Sequence, residues 1–527
     1  MKKAVLFLFS LFALYSVANA QKEGIASIGQ NDLKAYMEFF ASDDMAGRET
    51  GTPENDISAL FIRSNLMRLN LKPVPQTGDY FQKIPLFSTR IDRKNSFLKI
   101  FNSNGETIMS TDSVISLMPP VKTMEVTGNV VFAGYGYENK STNYNDFKGI
   151  DIKGKIVMIM TRNPEAVASG SGKTVFSEQL EGMKFASLIT RAPSAILFVY
   201  DPENIFRDGY DSGMAEMVGQ SSVSAQGSQG GGLPLQVLFI TRSAADNLLK
   251  PIGLSLEQMQ KRISEQGKPV SCEMIGLTAS VKTVIVTSEI SANNVIGIID
   301  GSDPVLKNEC IVYSAHFDHV GINEKGEAYN GADDNASGSM VLLEVAEAFT
   351  KVKKPPLRTI VFAWVNGEEK GLLGSRYYTD NPVIPMEKTV VNINLDMVGR
   401  SRMASDTGTF HGFSLDITNP GEINVYTNHE SSELLNIMNE SSREAGIKVN
   451  DKGPKMEAGS SDHASFLAKG VPALCFNSGI HRDLHGTGDD IEKIDFDKME
   501  KSAKLCFLIG YNVASRKERL VIDKPGK

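Results

Sequence analysis

Five short stretches in the C-terminal half place histidines and carboxylates at the ends of apolar runs or in the loops beside them. The run Ile311–Ala315 is followed by His316-Phe317-Asp318. Residues Asn330 to Gly338 read NGADDNASG and lead directly into an amphipathic stretch. The run Thr359–Val365 ends in Asn366-Gly367-Glu368-Glu369, the run Val390–Leu395 ends in Asp396, and His485 follows the run Val471–Phe476. In open α/β sheets, ligands bind beyond the carboxyl ends of the strands. Strand ends and loops would thus deliver His, Asp, Glu, Asp and His to one edge. That is a nitrogen and oxygen donor set without thiolate, which suits zinc. Each motif alone has a plainer use. Asp333-Asp334 could cap a helix, Asp396 could sit in a turn, and Glu368-Glu369 could be a solvated pair. Their order and shared position at strand ends give the set its weight.

The elements that must hold these residues are legible as alternating patterns. From about Thr283 onward, β-branched runs (Val295–Ile299 and the four named above) alternate with helical signals. Leu342, Val345, Ala346 and Phe349 fall at i, i+3, i+4 and i+7, the spacing of a helix with one apolar face. Alternation of this kind predicts an α/β fold: a mixed, largely parallel sheet flanked by helices. Nearer the N-terminus, Asn31 and Asp32 are placed to cap a helix running to about Ala41. A loop rich in Asp, Gly and Thr follows, from Ser42 to Asn55, before Ile57, Leu60 and Phe61 resume helical spacing. Val130–Ala133, Ile156–Met160 and Ala195–Tyr200 read as strands, with a helix near Ser177–Arg191. The Ser/Gln/Gly-rich stretch Gly219–Gly232 reads as a mobile surface loop, either a lid or plain decoration.

The chain has 527 residues and seven histidines, all between His316 and His485. With 41% hydrophobic and 22% charged residues it has a globular composition. A net charge of −8 disfavours a general nucleic-acid binder. Lys2 and Lys3, an apolar run from Ala4 to Val17 and Ala18-Asn19-Ala20 form a secretory signal pattern. The run is shorter than the ~20 residues of a membrane span. The expectation is export to the periplasm or beyond the cell, without stable membrane insertion. Four scattered cysteines, with no C-x-x-C pair, exclude a disulfide scaffold and a thiolate metal site. Buried free thiols are the first expectation and one disulfide the second.

The motifs AHFDHVG, NGADDNASGSMVLLEVA, NGEEKGLLGS, NLDMVGR, SSDHASF and the final His-x-x-x-Asp of His485 to Asp489 occur in that order. In this respect the chain closely resembles the co-catalytic di-zinc aminopeptidase family, which also contains glutamate carboxypeptidases and glutaminyl cyclases. The resemblance covers roughly residues 30–110 and 283–515. It implies two zinc ions bridged by Asp333, with His316 and Asp396 completing one site and Glu369 and His485 the other. It implies Glu368 as general base, Asp318 as the partner holding the ring of His316, and a cis peptide between Asp333 and Asp334. Leu484 and Asp490 depart from the residues common beside the last ligand, which bears on local pocket polarity. His319, His411, His429 and His481 receive no role and read as exposed or loop residues; His463, in the SSDHASF motif, receives no catalytic role.

Residues 120–282 resemble a protease-associated domain through VVFAGYGY, YNDFKGIDIKGKIVMI and SAILFVY. Gly134 and Gly136 alone make a weak nucleotide loop and read as turn glycines. The expected organisation is a signal peptide over 1–20, a catalytic piece over 21–119, an inserted domain over 120–282 and the main catalytic part over 283–527. The function implied is a zinc exopeptidase, an aminopeptidase first, acting on peptides. Glutaminyl cyclase activity with one zinc, carboxypeptidase specificity and a non-enzymatic receptor-like role are the alternatives.

Overall fold

A computed structural model describes residues 21–523 apart from 111–113, 119, 121, 141–142, 163–183, 185, 203–221, 226–234, 324, 411–412 and 454–460. The signal pattern, His411 and most of the Gly219–Gly232 stretch lie outside the described residues. Within that stretch, Ser222–Ala225 forms a strand paired antiparallel with Leu86–Ile91, so this part is sheet and not loop. Among the described residues no helix is long and apolar enough to cross a membrane. Their four cysteines are free thiols, three of them buried.

The chain divides into two compact units, residues 1–85 with 290–527, and 86–289. The second unit starts at Leu86, earlier than the expected boundary at 120. The reason is strand pairing: Phe97–Phe101 hydrogen-bonds antiparallel with Cys272–Thr283, which in turn pairs with Met124–Phe132. The segment before residue 120 therefore completes the sheet of the second unit. That eight-stranded sheet has the parallel strands Met124–Phe132, Ile156–Met160, Ala195–Val199 and Gln236–Ile240 side by side.

The first unit is built on an eight-stranded sheet. Its strands are β1 (Phe81–Lys83), β2 (Asn293–Ile299), β3 (Cys310–His316), β4 (Thr359–Val365), β5 (Thr389–Leu395), β6 (Glu422–Tyr426), β7 (Lys448–Gly453) and β8 (Ala473–Asn477), in the order β1-β2-β4-β3-β5-β8-β6-β7. β4, β3, β5 and β8 are mutually parallel, and β1, β2 and β6 join antiparallel. This is the mixed, largely parallel sheet expected from the sequence.

The central strands are apolar on both faces because both faces are covered. Ile311, Tyr313 and Ala315 of β3 pack into one core with helices α1 (Gln30–Phe40), α3 (Gly338–Lys351), α5 (Ser432–Ala445) and α7 (Phe496–Ala514). Cys310 and Val312 face the other side, with Tyr378 of α4 (Leu373–Asp380) and Phe466 of α6 (His463–Leu467). The second helix, α2 (Pro53–Arg68), adds Ala59, Ile62 and Leu66 to the first core. Polar residues within the sheet are paired with each other. Ser314 donates to Asn394 at 2.6 Å, and Asn392 donates to Ser314 at 3.0 Å. Helix α1 begins one residue before the expected caps, after Gly29, and no side chain caps it. The Gly29 N–H is bonded instead to Glu344 of α3, at 3.3 Å.

Glu344 is 1% exposed, and its second carboxylate oxygen has no partner among the described residues. Burial pushes its carboxyl up to about 8, and Asp32 and Glu347 add to the rise. An unfolded glutamate loses its proton near 4.5. Folding therefore takes up a proton between these values, and stability falls as pH rises through that window. Glu344→Gln is expected to exceed the wild type by about 1–3 kcal/mol at pH 8 and to match it near pH 4.5. Thermal melts at the two pH values test this, and an equal difference at both would remove the neutral-carboxyl reading.

Candidate metal centre

The carboxyl ends of β3, β4, β5 and β8 lie together, and the sheet's direction explains which side chains meet there. His316 is the last residue of β3 and is buried. Its Nδ1 faces the main-chain oxygen of Asp318 at 3.1 Å, which turns Nε2 toward Asp334 and Asp396, each 3.4 Å away. The ring is thus held by the Asp318 carbonyl. The Asp318 carboxylate is 3.8 Å from that nitrogen and serves elsewhere. It accepts the backbone N–H groups of Glu368 and Glu369, at 3.2 and 3.3 Å, and the Thr50 hydroxyl at 3.0 Å. Asp318 therefore sets the turn after β4, where both glutamates begin.

The structure corrects the assignment of the shared carboxylate. Asp333 points away from the histidines of the strand ends. One of its oxygens accepts the Gly399 N–H at 2.6 Å and the Ser337 hydroxyl at 3.1 Å; the other faces His481 at 3.4 Å. Asp334 occupies the centre instead. Its Oδ1 faces His316, and its Oδ2 faces His485 at 3.1 Å and His319 at 3.6 Å. The physical cause is the anchoring of the backbone between β3 and α3. The Asp489 carboxylate accepts the N–H groups of both Asp333 and Asp334 at 3.0–3.1 Å, and the Asn335 side chain ties to the Leu395 carbonyl and the Met397 N–H. The cis peptide lies at Asp334–Asn335, one residue later than expected. Gly331, at φ +54°, is required here: a Cβ would lie 2.2 Å from the Asp334 oxygen.

Two donor sets result. His316, Asp334 and Asp396 form one; Asp334, Glu369 and His319 form the other, with His485 3.1 Å from both Asp334 and Glu369, and His316, Glu368 and Glu369 also lie close enough together to share an ion. Of the residues expected at the site, His316, Glu369, Asp396, His485 and Glu368 are brought together. Asp333 is displaced by its neighbour, and His319, expected to be an exposed or loop residue, lies in a loop but is buried in the second set. His481 is buried too, against Asp333. His429 pairs with Asp451 outside this cluster, and His463 is buried, its pKa lowered by burial to about 4.

Charge is the site's defining feature. Burial opposes ionisation of Asp334, yet His316, His319 and His485 hold its carboxyl well below the usual range. Burial and Asp334 press Glu369 upward, and the bonds from His319 and His485 bring it down to about 2. Burial would lower His485, but Asp334 and Glu369 raise it to about 11. Glu368 lacks such partners. Burial raises its carboxyl well above normal, and Glu369, Asp462 and Asp396 reinforce the rise against His316. Among the described residues no hydrogen bond or ion pair ends on its carboxylate. Asp462 is buried beside the set, pushed up to about 7 by burial, and neither of its buried oxygens has a hydrogen-bond partner. A buried carboxylate cluster demands positive charge, and a divalent cation at each set would supply it. Donor spacings of 3.1–3.4 Å among His316, Asp334, Asp396, Glu369 and His485 fit such an ion, since tetrahedral ligands ~2.0–2.1 Å from zinc lie about 3.3 Å apart.

Sequence reasoning missed the supporting residues from the N-terminal piece. Arg48 is fully buried and donates to the carbonyls of Phe40, Phe317, Asn330 and Gly331. Asn55 and Asn366 exchange hydrogen bonds of 2.7 and 3.2 Å at the base of the glutamate turn. The Asp, Gly and Thr content of residues 42–55 was the available signal, but it reads equally well as an ordinary loop.

Residues 294–509 match peptidase family M28. Aminopeptidase YwaD of Bacillus subtilis is 30% identical over 251 residues, covering 46% of this chain and 49% of that protein. A probable leucine aminopeptidase of Arthroderma benhamiae is 30% identical over 269 residues, covering 48% of this chain and 65% of the relative. The chain thus spans about half to two thirds of the length of these curated relatives. Among solved structures, an aminopeptidase from Aneurinibacillus sp. strain AM-1 superposes with a TM-score of 0.57 at 20% identity, over 96% of this chain and 98% of that one. BSAP, a zinc aminopeptidase from Bacillus subtilis, gives 0.54 at 20% identity, over 94% and 98%. These two share the fold.

The two aspartates are separable by experiment. Asp334→Asn is expected to lose divalent metal from both sets, whereas Asp333→Asn keeps it. Elemental analysis of dialysed protein distinguishes them, and the reverse pattern would restore Asp333 as the shared ligand.

Proposed function

We propose that this protein is an exported zinc exopeptidase, most directly an aminopeptidase that removes N-terminal residues from peptides. The observation that carries the proposal is the division of the Asp334 carboxylate between two donor sets, with Glu368 free beside both. Such an arrangement suits two zinc ions about 3.5–4 Å apart, which would supply a polarised carbonyl and a water acidic enough to ionise near neutral pH. His316 and Asp396 would hold one ion, Glu369 and His485 the other, and Asp334 both. Glu368 would take the proton of the attacking water and return it to the leaving amine. Its raised pKa suits a group that must both accept and give a proton. Asp318 supports both roles, because it fixes the backbone of the two glutamates.

The names of the relatives support aminopeptidase specificity, and the Lys2-Lys3 and apolar pattern supports export. The resemblance of residues 120–282 to a protease-associated domain belongs to the same proposal. The substrates are peptides; the acidic net charge offers nothing to nucleic acid.

A screen of free-amine and N-blocked peptides, with wild type and Glu368→Gln, tests the reading. The wild type should release N-terminal residues from free-amine substrates only and carry two zinc ions per chain. Glu368→Gln should keep both ions and lose about 100- to 10,000-fold in kcat. Release of C-terminal residues would move the specificity to carboxypeptidase. One zinc with a pyroglutamate product would replace hydrolysis by cyclisation, and metal-free protein without turnover would favour a receptor-like role.

A further inference from the structure

His319 belongs to the second donor set, yet its surroundings differ from those of a ligand. Its ring is fully buried. Nδ1 lies 2.9 Å from Glu369 Oε1, and the ring meets the His485 ring edge-on at 5.6 Å. The opposite side of the ring rests on Gly331, where a Cβ would come within 2.5 Å of His319 Cδ2. Nε2 is buried and has no hydrogen-bond partner among the described residues.

The partnerless nitrogen decides the tautomer. A histidine that binds a cation through one nitrogen normally donates the N–H of the other to an acceptor. His316 does this, with Nε2 toward the carboxylates and Nδ1 on the Asp318 carbonyl. His319 has no acceptor at Nε2, and a buried N–H left without one is costly. The proton therefore belongs on Nδ1, where the Glu369 carboxylate accepts it.

We propose that His319 is a positioning residue that holds Glu369 in place as a metal ligand through an Nδ1–H···Oε1 hydrogen bond, and is not itself a ligand. The bond occupies one oxygen of Glu369 and leaves Oε2, 3.1 Å from His485 Nε2, to face the cation. It also separates the fates of the adjacent glutamates: Glu369 is fastened, while Glu368 keeps an unencumbered carboxylate. The assignment rests on the two-zinc reading above.

The test compares wild type, His319→Leu and His319→Asn, each metal-depleted and then titrated with zinc against a chromophoric chelator. Each protein is also saturated with cobalt(II) for its absorption spectrum. Asn can place an amide N–H near the position of Nδ1; Leu cannot. His319→Leu should weaken one of the two zinc sites about 10- to 100-fold and leave the other unchanged. Its cobalt spectrum at saturation should match the wild type, because the ligand set is intact. His319→Asn should recover most of the lost affinity. A changed cobalt spectrum in both variants would make His319 a ligand and overturn the assignment, as would unchanged zinc affinity in His319→Leu. Equal weakening in both variants, with circular dichroism showing a native fold, would reduce the residue to packing. A wild type with a single zinc site would instead overturn the two-zinc reading, and with it any role at a second ion.

Discussion

Carboxylates crowded into a dry place repel one another, and that repulsion organises the first unit. Asp318, Asp333, Asp334, Asp396, Asp462 and Asp489 are all buried near the ends of four parallel strands. Each needs a donor, a cation or a proton. Asp318 and Asp489 are satisfied by backbone N–H groups, and by doing so they fix two turns. One oxygen of Asp333 is satisfied by Gly399 and Ser337, and the other faces His481 at 3.4 Å. Asp334, Asp396 and Glu369 turn instead to histidine nitrogens, which is where a metal competes with protons. The carboxylates held by backbone N–H groups fix the local backbone, whereas Asp334, Asp396 and Glu369 face histidine nitrogens.

Much of this was legible in the sequence because parallel strands leave a clear trace. Their buried apolar runs are unbroken, so β3, β4, β5 and β8 fall within a residue or two of their expected ends. Position at a strand end then identified His316, Glu368, Glu369 and Asp396 without knowledge of contacts. Choosing between Asp333 and Asp334 was beyond that logic. The two are adjacent, identical in type and lie in an irregular segment. The deciding factor is the distant Asp489 carboxylate, which sets how their backbone turns.

The histidines show the same limit from another side. His319 and His481 carry no periodic signal, since both lie in loops, and loop residues default to the surface. Both are buried by residues remote in sequence: His319 beside Glu369 and His485, His481 beside Asp333. The start of the second unit at Leu86 was hidden for a related reason. Pairing of Phe97–Phe101 with Cys272–Thr283 is a contact between strands far apart along the chain, and single-strand patterns do not reveal partners.

Arg48 links the architecture to the way the chain is made. Its guanidinium fastens the carbonyls of Phe317, Asn330 and Gly331 to a segment that precedes the second unit, while His485 arrives near the end of the chain. At about 5–20 residues per second, roughly ten seconds or more of synthesis separates Arg48 from the backbone it must bind. Until then its charge has no buried partners and stays in water. A chain still too short to include His485 holds Asp334 and Glu369 without that partner, so on that side their charge goes unanswered until this late segment joins.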